Sequence, residues 1–153
     1  MWQRKQTVYL IVAVILTVIC LCMQIGAFNL SGEDVARVYN LWFTDPIGKR
    51  HFDVWPLMAI LLPTAALGTY TNFIYRNRKA QALFCALNAL LIVGWYVCFF
   101  VVGQMAGNKS WGAVEFRPEW PAVLPVIALI LYLMARRAIR ADEKLVRSLD
   151  RIR

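Results

Sequence analysis

Four cysteines, one histidine and a run of arginines and lysines at the end are the residues of this 153-residue chain with reactive or ion-pairing chemistry of their own. Cys20, Cys22, Cys85 and Cys98 each lie inside an apolar run, and none belongs to a CxxC or to a Cys/His cluster at metal-binding spacing. A thiol attacks or ligates as the thiolate, which hydrocarbon surroundings disfavour. Cys20 and Cys22 would also point about 200° apart on a helix. A membrane thiol oxidoreductase using Cys20, Cys22 or Cys98 is therefore an alternative, and packing is the leading role for these residues. His51 follows Lys49 and Arg50 in a polar segment and reads as a solvated loop residue, since intramembrane haem needs paired histidines. No catalytic motif accompanies these groups, so the expected protein is non-enzymatic, with no metal and no cofactor.

The cationic run is more informative. In residues 136–153, RRAIRADEKLVRSLDRIR, a turn of about 100° per residue brings Arg136, Arg137, Arg140, Lys144, Arg147 and Arg151 onto one stripe. Ile139, Leu145, Val146, Leu149 and Ile152 gather on the other. Glu143 stands at i−3 and i+4 spacing from Arg140 and Arg147, which supports a helix. Such a helix can dock on anionic headgroups, worth about 1 kcal/mol per nearby basic residue, or present Leu145, Leu149 and Ile152 to a membrane or cytoplasmic protein partner. Asp142 falls within the apolar stripe, which favours a projecting helix over one lying flat in lipid.

The elements that must position this tail are hydrophobic. Apolar residues make up 60% of the chain and its mean hydropathy is +0.54, values that point to a membrane class. The expected fold is all-α and polytopic, with spans at 7–28, 54–75, 80–103 and 120–135 and the basic helix of 136–153 as a cytoplasmic extension. The segment 29–53 is expected to carry a short surface helix, with Ser31 and Asp34 spaced as a capping box and Trp42, Phe43, Phe52 and Trp55 as an aromatic belt. Pro63 should free the Ala59 carbonyl, with Thr64 near enough to help. Asn88 is expected to bond a neighbouring helix. Ala82/Ala86 and Gly103/Gly107, at four-residue spacing, suit close helix packing within the chain or in a homo-oligomer.

Charge sets the expected orientation. Of the 17 Lys and Arg residues, twelve lie at the N-terminus, in the turn at 76–79 and in the tail, and five lie in the two other loops. The positive-inside rule then puts both termini in the cytoplasm of a multi-pass inner-membrane protein. The overall charge of +8 is thereby explained as a topology signal, without a nucleic-acid partner. No Asp, Glu, Lys, Arg or His falls inside the four apolar runs, which argues against proton relays and ion-coupled transport. A small carrier or lipid-handling protein built around Pro63 and Asn88 is a further alternative and needs a polar cavity. The leading expectation is an accessory or assembly protein whose basic helix docks on a partner or on anionic lipid.

Three stretches, MWQRKQTVYL, IYRNRKAQALFCALNALL and RAIRADEKLVRSLDRIR, resemble a domain-of-unknown-function family of four-helix membrane proteins from Bacteroidota. The likeness covers nearly the whole chain and is strongest in the tail and the middle turn. It implies a four-span inner-membrane protein of a Gram-negative bacterium, and it brings no activity, catalytic residue or ligand.

Overall fold

The computed structural model describes residues 5–30, 33–45, 47–74, 77–107 and 115–150. Helix α1 (Lys5–Cys22) forms over a run without Gly or Pro, and its buried positions, Gln6, Leu10, Ala13, Thr17 and Cys20, recur every three or four residues. Helix α2 (Trp55–Phe73) begins with Pro56 in its first turn, where the missing N–H is harmless, and buries Leu57, Leu61, Thr64, Ala65, Gly68 and Thr71. Helix α3 (Arg78–Gly107) is the longest at 30 residues. A 3-10 turn over Trp120–Val123 leads into α4 (Leu124–Asp150), which runs through the tail without a break. The helices pack in a closed ring, α1 against α2 and α4, and α3 against the same two.

One end of this ring is capped by a sheet. Strands β1 (Gly26–Leu30), β2 (Glu33–Val38), β3 (Phe43–Thr44) and β4 (Arg50–His51) come from the α1–α2 connection, and β5 (Glu115–Pro118) comes from the α3–α4 connection. Their order is β4-β3-β2-β1-β5, antiparallel throughout. The register sets Phe28 opposite both Ala36 and Phe116. Ile25, Phe28, Ala36, Val38 and Phe43 share a buried cluster with Cys20, Leu57, Leu61, Trp95 and Phe99, so sheet and helix ends form one core. Phe116 closes its edge. A Cβ on Gly26 would come within 2.7 Å of the Phe116 ring, and one on Gly103 within 2.8 Å, so both positions leave room for that ring.

The all-α, four-span expectation is overturned by this sheet and by helix length. Among the described residues two segments are long and apolar enough to cross a membrane, Arg78–Gln104 and Trp120–Val146, at 27 residues each, and the apolar run of α1 is shorter. The expected surface helix after residue 29 is also wrong. Asp34 lies on β2, and Ala36, Val38 and Asn40 are buried at every second position, a strand period. Ser31 lies outside the described residues. Of the expected aromatic belt, Phe52 and Trp55 are exposed, but Phe43 faces the core. Thr64 donates to the Ile60 carbonyl at 2.9 Å.

Asn40 joins three helices at the capped end. Its Nδ2 donates to the Cys20 carbonyl at 2.7 Å, its Oδ1 accepts from Trp95 Nε1 at 3.0 Å, and its own carbonyl accepts from the Met58 N–H at 3.1 Å. The first and last of these partners are groups that helix termini leave unpaired, at the end of α1 and the start of α2.

Candidate functional site at the cationic end

The end opposite the sheet is built by polar side chains acting as ties. Asn77 starts α3, accepting from the Ala80 N–H on Oδ1 at 3.3 Å and from the Gln81 N–H on its carbonyl at 3.0 Å. The Gln81 side chain then donates to the Thr71 carbonyl at 3.3 Å, locking the last turns of α2 to the first of α3. These bonds position Arg78 and Lys79. On α4, Ile139 is fully buried, which turns Arg137 and Arg140 outward, where both are exposed.

Asp142 completes the arrangement. Its carboxylate accepts from Gln6 Nε2 at 2.6 Å, and its carbonyl accepts from the Arg78 guanidinium at 3.3 Å. The acid that sits out of place in the tail's apolar stripe thus joins the starts of α1 and α3 to α4. Just past this tie Leu145 is 64% exposed, Val146 44%, and Lys144 is exposed beside them.

Between the start of α3 and this part of α4 lies a cleft of about 360 Å³, lined by Lys79, Ala82, Leu83, Arg136, Arg140 and Glu143. Three of these side chains are cationic and one is acidic. Arg136 is half-buried, and its Nε is shielded from solvent and meets no acceptor among the described residues. Such an arrangement favours an anion with several acceptor oxygens.

The family profile described as a domain of unknown function, DUF4293, matches residues 2–152. The chain belongs to the DUF4293 family. No curated protein matches it. The DUF4293 match takes in the sheet-forming loops as well as the cationic end, so both are parts of one family unit.

Of the docking residues expected from sequence, Arg136 and Arg140 meet at the cleft, while Arg137 and Lys144 are exposed but do not line it. Leu145 is uncovered. Arg147 and Leu149 fall on α4 with side chains outside the described residues, and Arg151 and Ile152 lie wholly outside them. Sequence reasoning missed Lys79 as a cleft residue and Gln6 as the partner of Asp142. The misplaced acid was the available signal for the second.

The other reactive groups in this DUF4293 chain lie away from the cleft. Cys20 and Cys85 are buried in separate clusters, Cys22 is exposed and Cys98 half-buried, and all four are free thiols. His51 is not a bare loop residue: it stacks on Phe43 with ring centroids 5.0 Å apart and lies 3.1 Å from Asp45. These contacts, with Gly48 at φ +83° in the turn and Arg50 5.2 Å above the Trp42 ring, stabilise the β3–β4 hairpin. Among the described residues no group of three His, Cys, Asp or Glu side chains is placed to hold a metal ion. A second groove, of about 830 Å³, runs between α3, β5 and the start of α4, and neither Pro63 nor Asn88 lines it.

Proposed function

We propose that this chain is a non-catalytic integral membrane protein of the inner membrane, a docking subunit whose cationic end faces the cytoplasm and receives an acidic protein partner on the projecting end of α4. The observation that carries the reading is the exposed patch at residues 144–146 of that helix. Leu145 and Val146 stand exposed beside Lys144, just past the bonds that Asp142 makes with Gln6 and Arg78. An apolar pair flanked by cations suits an interface with a hydrophobic centre and an acidic rim.

Membrane residence is supported by which side chains face outward. On α3, Leu83, Leu87, Leu90, Val93 and Val97 are exposed, and on α4 so are Ile127, Ile130, Leu133 and Met134. The inward positions include Ala82, Ala89, Ala128 and Ala135. A helical core in water would reverse this, with large aliphatic residues inside, whereas lipid rewards close packing through small residues. The outward face of α1, with Val8, Ile11, Ile15 and Val18, has the same character. Lys and Arg concentrate at the end away from the sheet, which favours that end as cytoplasmic.

The test is recovery of the full chain from native membranes in mild detergent, with and without Lys144→Glu and Leu145→Glu together. The reading expects a stoichiometric partner with the unaltered chain and its loss with the double variant, while membrane insertion stays the same. A chain that elutes without a partner in both cases contradicts it.

A further inference from the structure

We propose that the cleft between the start of α3 and residues 136–143 of α4 is a binding site for the phosphate headgroup of an anionic phospholipid. The proposal rests on the reading above that this end lies at the membrane surface. Two observations converge on it. Lys79, Arg136 and Arg140 face one small space from two helices joined by the Arg78 bond to the Asp142 carbonyl, so the cations are preorganised. Within that space Arg136 carries a shielded N–H with no acceptor among the described residues, and a buried donor of that kind favours a ligand oxygen.

The surroundings point to a lipid rather than a free anion. The cleft has an apolar floor of Ala82 and Leu83. Leu83, Leu87 and Leu90, spaced three and four residues apart on α3, are all exposed and form a ridge leading away from the cations toward the sheet end. A phosphate seated at Lys79, Arg136 and Arg140 would have its acyl chains along that ridge. Inorganic phosphate would use the cations and leave the ridge without a role. Glu143 at the rim limits the net positive charge, so the site is suited to one phosphodiester rather than to a polyanion.

The experiment is native mass spectrometry of the detergent-purified full chain titrated with phosphatidylglycerol, with phosphatidylcholine and inorganic phosphate as comparison probes. Phosphatidylglycerol should be retained in preference to phosphatidylcholine, and inorganic phosphate should not displace it. Lys79→Gln and Arg140→Gln, both at exposed positions, should each weaken retention about tenfold, the loss of one charge-assisted contact. Arg136→Lys keeps the charge at the half-buried position but removes the fork, and should weaken it as well. Arg137→Gln and Lys144→Gln, on the same helix but away from the cleft, should stay within about twofold. Equal weakening by all of the Gln variants would overturn the site in favour of diffuse attraction. Displacement by inorganic phosphate would overturn the lipid assignment. Either result can stand beside an intact partner at Lys144 and Leu145, so the docking reading fails or survives on its own test.

Discussion

At the scale of single residues, two buried contacts hold most of the information. Asn40 satisfies a carbonyl of α1 and the indole N–H of Trp95 with one amide, in a place without water access. Asn40→Ala leaves both groups unpaired, and the expected loss is about 2 to 4 kcal/mol of unfolding free energy, read by denaturant titration in detergent micelles. Gly68 is the second. A Cβ there would collide with the Tyr132 hydroxyl and come within 2.7 Å of a Val14 methyl, and that hydroxyl has no hydrogen-bond partner among the described residues. Gly68→Ala should therefore destabilise by about 1 to 3 kcal/mol. Tyr132→Phe should be close to neutral alone and should restore part of the loss in the double variant, a coupling measured by a double-mutant cycle. The cysteines illustrate what sequence reveals at this scale. Their places in apolar runs already argued for packing, but the three-helix role of Asn40 depends on partners 20 and 55 residues away and left no local trace.

At the scale of elements, apolar periodicity locates helices and says little about short strands. The inward stripes of α1 and α4 are visible as spacings of three and four residues, and the continuity of α4 into the charged tail follows from the absence of a breaker after Pro125. The sheet is hard to see because β3 and β4 have two residues each and β5 pairs with a strand almost 90 positions earlier, about as far as pairing can lie from local propensity. Even so, the run Ala36, Val38 and Asn40, buried at alternate positions with exposed Arg37 among them, was a readable alternation that a supposed capping box concealed. Ties between elements yield a further prediction. Asp142→Ala removes the acceptor for Gln6 while leaving the backbone contact from Arg78. Amide exchange over residues 139–146 should rise several-fold, and that in β1, β2 and β5 should not change. Equal acceleration in the sheet would show that the two ends are not separate cooperative regions.

At the scale of the whole molecule, the chain is polarised along its helices. A sheet assembled from two connections covers one end, and the other carries the cleft, the exposed cations and the exposed residues 144–146 of α4. Aliphatic side chains dominate the outward faces between them. The cationic end was legible as a stripe of Arg and Lys, but its division into a cleft and an exposed apolar patch was not, since only packing shows that Ile139 is buried and Leu145 is exposed. The central claim is that the bilayer lies between the two ends, with the cations inside. It is tested by labelling with a membrane-impermeant maleimide in intact spheroplasts, using chains with the native cysteines replaced by Ala and one introduced at Ile47→Cys or Lys144→Cys. Ile47 is 92% exposed in the β3–β4 turn, and Lys144 is exposed on α4. Labelling is expected at position 47 in intact spheroplasts and at position 144 only after permeabilisation. Labelling of position 144 in intact spheroplasts would contradict it.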